Sequence, residues 1–179
     1  AVYVSKSLVE YVDAGYSSFA AQQAGNTPMI YVGANDGMLH AFNAQTGAEV
    51  WAFIPTEVLP KLYLLADKQY AANHQYFADG TPVVQDVKIN GNWRTILVSG
   101  LGAGGRSYFA LDITTPGSPQ LLWEFKDSNL GLTLGKPEIG KLANGIADDF
   151  LSTLYTATQA PVVMRLSTSS GCEFSSTTA

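Results

Sequence analysis

The chain has 179 residues, 46% of them hydrophobic, and a formal net charge of -5 with only 10 lysines and arginines. That length supports one compact core, and the scattered cations exclude the clustered basic footprint of a nucleic-acid partner. No run reaches the roughly 18 apolar residues of a membrane-spanning helix, so no transmembrane segment is expected.

Taken in chain order, residues 2–4 and 8–12 are short apolar runs, read as an edge strand and a turn. Residues 16–24 predict a short helix that Gly25 stops. Residues 1–28 thus form a lead-in. No basic-then-apolar secretion signal opens it, and a chain that begins on Ala1 reads as a processed or excised piece. From Met29 the period becomes that of strands: 29–34, the turn Asn35-Asp36-Gly37, then 38–44. An Asp-Gly pair between two apolar runs predicts a hairpin, since it tolerates the positive φ of a tight primed turn. The turn at 44–47 leads to a third strand, 49–54, which contains Trp51.

Residues 56–75 interrupt this meander. Leu59, Leu62, Leu65, Ala66 and Gln69 recur at helical spacing, with Tyr63 and Tyr70 widening the stripe, and predict a helix near 60–72. Pro60 is acceptable in its first turn. The alternative is a long apolar loop. A second unit follows: alternating residues at 82–89, the turn Asn90-Gly91, strand 93–99, a glycine stretch at 100–105, strand 107–113, a Pro/Gly loop, and strand 120–125 with Trp123. That is a four-stranded meander of the propeller-blade type. Residues 136–142 open a third unit. Beyond 145 the pattern decays into a diverged C-terminal segment, 146–179, whose Ser/Thr-rich end, 167–179, reads as a disordered tail. Cys172 lies there. As the single cysteine it forms no internal disulfide, and it reads as a spare thiol rather than a nucleophile.

Ala41 and Ala110 are 69 residues apart, and Trp51 and Trp123 are 72 apart. A plain blade takes about 40–45 residues, so the excess is the insertion at 56–75. The expected fold is all-β: a partial or truncated β-propeller of four-stranded antiparallel blades, 29–145, with a helical insertion. A closed ring needs at least about four blades, which makes the chain read as a fragment or a truncated domain.

Candidate chemical sites are few. Trp51 and Trp123 read as packing between sheets rather than stacking platforms. Asp36 could offer an oxygen to calcium, but the full calcium loop is missing and a turn-forming role is the simpler one. Asn144, Asp148 and Asp149 form the next acidic cluster, a weak oxygen site against solvated loop carboxylates. His40 and His74 lack the partners of a zinc site. A triad drawn through His74 and Asp79 has no nucleophile elbow to support it. Gly100–Gly105 imitates a phosphate loop, yet a strand follows it rather than a helix. Arg106 at its end is an exposed cation for a partner. Surface turns and blade edges therefore supply the interaction candidates: Asp36, His40, His74, Asp79 and Arg106.

The phrases YVGANDGMLHAFNAQTG (31–47), HQYFADGTP (74–82), VSGLGAGGR (98–106) and FALDI (109–113) resemble the C-terminal β-propeller of the type IV pilus tip-associated adhesin and assembly proteins. The resemblance covers residues 26–126 and weakens towards 145. It implies a non-enzymatic module of pilus biogenesis and surface adhesion, secreted and exposed on the cell surface or pilus, with outer-membrane association as the alternative. Implied partners are pilus subunits or minor pilins and a host or abiotic surface. Some family members regulate pilus extension through a calcium loop; its aspartate alternation is missing here, so no cofactor is carried over. Two other functions stand beside this one: a propeller-derived interaction scaffold, and a fragment of a quinoprotein-like dehydrogenase. The latter would need a quinone sandwich and a calcium beside an acidic base.

Overall fold

The computed structural model describes residues 1–7, 9–141, 150–155, 161–167 and 171–175. Among the described residues, twelve strands form three four-stranded antiparallel sheets, each a simple meander. Blade 1 is β1 (Val2–Val4), β2 (Met29–Gly33), β3 (Leu39–Asn43) and β4 (Glu49–Phe53). Blade 2 is β5 (Val83–Ile89), β6 (Asn92–Gly100), β7 (Ser107–Asp112) and β8 (Gln120–Lys126). Blade 3 is β9 (Glu138–Lys141), β10 (Phe150–Tyr155), β11 (Pro161–Ser167) and β12 (Gly171–Ser175). A helix, α1 (Tyr16–Gln23), lies within the β1–β2 connection.

The first two blades repeat residue by residue. Ala41 pairs with Trp51 across β3 and β4, and Ala110 pairs with Trp123 across β7 and β8. In both sheets the register shifts at the next residue, between Ala41 and Phe42 and between Ala110 and Leu111. A bulge at the same place twists both outer strands alike. The Asx residues that close these strands also match: Asn43 Oδ1 accepts the Gln45 and Thr46 N–H groups, and Asp112 Oδ1 accepts the Thr114 N–H.

Packing follows from side-chain alternation. One face of blade 1 (Tyr31, Leu39, Ala41, with Trp51 and Phe53) meets one face of blade 2 (Leu97, Phe109, Leu111, Ile113) in the main core. The other face of blade 2 carries Tyr108, Phe125 and partly buried Trp123 in one cluster and Val87, Ile96 and Leu122 in another, the latter with Ile139 of β9. Sandwiched this way, β7 is buried at every residue, as a strand covered on both faces must be. The Trp51 indole N–H reaches across to the Pro116 carbonyl at 2.7 Å and ties the two blades together.

Three local readings of the sequence change. The insertion holds a 3-10 helix at Leu59–Ala66 instead of a longer helix near 60–72. Asp67 turns the backbone extended, and its carboxylate takes the Gln69 N–H, so a side chain competes with the next helical bond. The hairpin at 34–38 is not a primed turn. Gly37 N–H bonds the Ala34 carbonyl and only Gly37 has positive φ, at 97°, the pattern of a type I turn closed by a left-handed glycine. Finally, residues 171–175 are not a loose tail: their main chain pairs with β11. Composition missed this because the neighbouring strand supplies the partners.

Candidate functional site

In an antiparallel meander successive connections alternate between the two ends of the sheet. The β2–β3, β4–β5, β6–β7 and β8–β9 connections therefore fall at one end, and hydrogen bonds weld them into a single surface. Ala78 N–H donates to the Ala34 carbonyl and Phe77 N–H to Asn35 Oδ1, both at 3.3 Å. Asp79 N–H reaches the Leu101 carbonyl at 3.1 Å. Leu101 N–H donates to Thr133 Oγ1 at 2.8 Å, and Thr133 N–H to the Gly105 carbonyl at 3.2 Å.

The glycine stretch exists for this contact. A Cβ on Gly104 would lie 1.7 Å from the Phe77 carbonyl oxygen, and one on Gly80 would lie 1.9 Å from that of Gly100. Backbone packs directly on backbone, so no side chain fits. The segments 77–80 and 100–105, which carry the most specific part of the sequence resemblance, are therefore one packed unit. Lys61 completes it, donating to the Gly104 carbonyl while its ammonium sits 5.5 Å from the Phe77 ring centroid. Nothing in the local pattern around Lys61 marks that role.

Four of the sequence-predicted interaction residues, Asp36, His74, Asp79 and Arg106, lie on the connections of this end, and all four are exposed. The fifth, His40, lies at the start of β3 with its side chain only 12% exposed. Its Nε2 sits 2.9 Å from Asp36 Oδ2 and its Nδ1 2.9 Å from Glu49 Oε1. Burial opposes a charge on the ring. The Glu49 hydrogen bond and the Asp36 carboxylate outweigh it, and the His40 pKa rises above its ordinary value. Asp36 is further occupied by the Met38 N–H at Oδ1. His40 and Asp36 are thus brought together and largely satisfied within blade 1. Glu49, the other half of this bridge, was not visible in the sequence because the β3–β4 bulge sets the approach.

His74 stands among aromatic rings, 5.6 Å from Tyr70 and 5.1 Å edge-on from Tyr76. The Asp79 carboxylate and the Arg106 guanidinium hold no ion pair among the described residues. Behind Arg106, Glu57 takes the Arg106 N–H at 3.4 Å and faces Lys126 at 3.4 Å. Burial disfavours its charge, but the Ser107 hydroxyl, that N–H and Lys126 prevail and lower its pKa. No group of three or more His, Cys, Asp or Glu suited to a metal occurs among the described residues. Asn144, Asp148 and Asp149 lie outside them. Chemically the end surface offers the exposed Asp79 carboxylate, the exposed Arg106 guanidinium and an aromatic patch: groups for recognition.

Comparison with known proteins agrees with this geometry. A family model described as the PilY1 beta-propeller domain matches residues 2–171. The chain is 49% identical over 134 residues to the type IV pilus biogenesis factor PilY1 of Pseudomonas aeruginosa (strain UCBPP-PA14), a match covering 73% of this chain and 12% of that protein. It is 47% identical to a PilY1 homolog of Xylella fastidiosa (strain Temecula1), covering 73% of this chain and 11% of that one. The crystal structure of the Pseudomonas aeruginosa PilY1 C-terminal domain superposes with a TM-score of 0.72 at 34% identity, over 94% of this chain and 35% of that one. The chain thus spans about an eighth of the curated relatives. With its paired blades, its welded glycine segments and these matches, the chain belongs to the PilY1 β-propeller domain family.

Proposed function

We propose that this chain serves as a non-enzymatic module of type IV pilus biogenesis and surface adhesion, displayed at the cell surface or on the pilus. Membership of the PilY1 propeller family supports this reading, and so does the kind of surface the chain presents. The observation that carries it is the welded end surface, where Asp79 and Arg106 stand exposed on a rigid base without an ion-pair partner among the described residues. Unpaired charges on rigid loops suit recognition of a partner. The partners proposed are pilus subunits or minor pilins, together with a host or abiotic surface. The test is complementation of a bacterium lacking the gene with a double charge reversal, Asp79→Lys with Arg106→Glu. Surface pili per cell and attached cells are counted, with protein level and melting temperature as controls. Several-fold fewer pili or attached cells at normal protein level supports the proposal; unchanged counts of both contradict it.

A further inference from the structure

The other end of the blades holds a cavity of about 130 Å³ between β2, β5, β6 and the segment that joins β1 to α1. Val4, Met29, Val84 and Ile113 supply apolar wall, and Asp86 and Tyr31 supply polar wall beside the hydroxyls of Ser7 and Thr95 and the amide of Gln85. Lys6, Val9 and Thr27 also line it and are exposed, which places the mouth beside that segment.

The polar wall has hydroxyl and amide donors but is short of positive charge. Asp86 is 7% exposed and belongs to no ion pair among the described residues. Its Oδ1 accepts the Thr95 hydroxyl at 2.7 Å, and its Oδ2 the Tyr16 hydroxyl at 2.8 Å. That same Tyr16 hydroxyl also meets the Val9 carbonyl. A phenol carries one proton, so two acceptors share one donor. Tyr31, which also lines the cavity, is 1% exposed. Burial raises its pKa and keeps it protonated, and a phenol oxygen can accept a hydrogen bond. A carboxylate withdrawn from water is strongly disfavoured unless a cation or several donors meet it. Lys6 at the mouth is the one cation among the lining residues, and it is exposed.

We propose that this cavity binds a primary alkylammonium group, its N–H donors met by Asp86 and Tyr31 and its stem by Val4, Met29, Val84 and Ile113. An ammonium places three donors on one compact atom, which suits acceptors whose positions are already fixed by other bonds; a planar guanidinium needs a matching fork. The volume is close to the ~150 Å³ of an engineered cavity that holds benzene, so a stem of about four carbons fits. A free amine and a lysine side chain share this chemistry.

The experiment titrates the full chain with n-butylammonium, with 1-butanol as the neutral isostere, and with Nα-acetyl-lysine N-methylamide. Binding is read from the backbone amide resonances of Gln85, Asp86 and Thr95 and from the melting temperature. Saturable binding of butylammonium but not butanol is expected. Binding should weaken by about tenfold in Asp86→Asn, as for loss of a charge-assisted bond. Because Asp86→Asn can disturb folding, Tyr31→Phe is the second variant: an unchanged melting temperature with binding weakened several-fold is expected. Response to the lysine derivative equal to that of butylammonium assigns the site to a peptide side chain; response to butylammonium alone assigns it to a free amine. Equal binding of butanol, undiminished binding in both variants, or binding that emerges only in Lys6→Met would each overturn the proposal. The last would make the chain's own lysine the occupant.

Discussion

At the scale of single residues, the two equivalent tryptophans make a controlled comparison. Trp51 donates its indole N–H to the Pro116 carbonyl, whereas Trp123 Nε1 is buried without a hydrogen-bond partner among the described residues. Replacement by Phe removes similar apolar area from each, but only at Trp51 does it orphan a partner. Trp51→Phe should therefore destabilise by about 1 kcal/mol more than Trp123→Phe, measured by chemical denaturation. His40 supplies a second residue-level expectation. Its folded-state pKa is raised, so its contribution is fully present below the unfolded value of about 6.5 and lost as pH rises through the folded value. Stability should fall as pH rises from mildly acidic to alkaline. Because Asp36 and Glu49 are nearly half exposed, the change should be about 1 kcal/mol or less, and it should vanish in His40→Gln. The Trp pair was legible in the sequence because identical spacing marks identical places in a repeat. The Glu49 half of the histidine bridge was not, since a bulge, not a period, creates it.

Among the elements, the glycine segments and the central strand carry the sharpest expectations. Gly104→Ala would force a methyl group against the Phe77 carbonyl, with no flexible side chain to yield. A loss of about 3 kcal/mol or more is expected in thermal or denaturant unfolding, together with loosened amides at 77–80. Gly47→Ala provides the contrast in space: its Cβ would meet nothing within 4 Å, leaving only the strain of its positive φ of 75°. In native-state hydrogen exchange, β7 amides should be the slowest of blades 1 and 2, since every residue of that strand is buried, and those of edge strand β4 faster. The strands and their turns could be read from alternation and from Asn-Gly and Asp-Gly pairs. The 3-10 helix could not, because a regular apolar stripe does not reveal that Asp67 will end it. Nor could the role of α1 be read. Tyr11, Tyr16 and Phe19 gather around Trp93, whose indole N–H donates to the Ala14 carbonyl. Contacts between segments so far apart in the chain leave no local pattern.

For the whole molecule, the blade repeat explains how the end surface is held. Blade 2 seats on blade 1 through Phe109 against Phe53, 5.1 Å between ring centroids, and through the Trp51 crossing to Pro116. Thr56 adds a polar tie, with its N–H 2.7 Å from Glu124 Oε1. With the blades fixed against each other, the connections at 34–38, 74–82 and 101–106 gain a common base. Three of the four phrases that carry the family resemblance contain those connections, so resemblance and site overlap for a physical reason: close backbone packing permits few residue types there. The carboxylate of Asp79 and the guanidinium of Arg106 are among the charged groups that hold no ion pair among the described residues. The most direct test immobilises the purified chain and measures its binding to sheared pili and to isolated minor pilins, beside the Asp79→Lys, Arg106→Glu double variant of equal melting temperature. Saturable binding that the double variant weakens by about tenfold, or roughly 1.4 kcal/mol, is predicted. No binding by the parent chain, or equal binding by both, would contradict the assignment of recognition to this end of the blades.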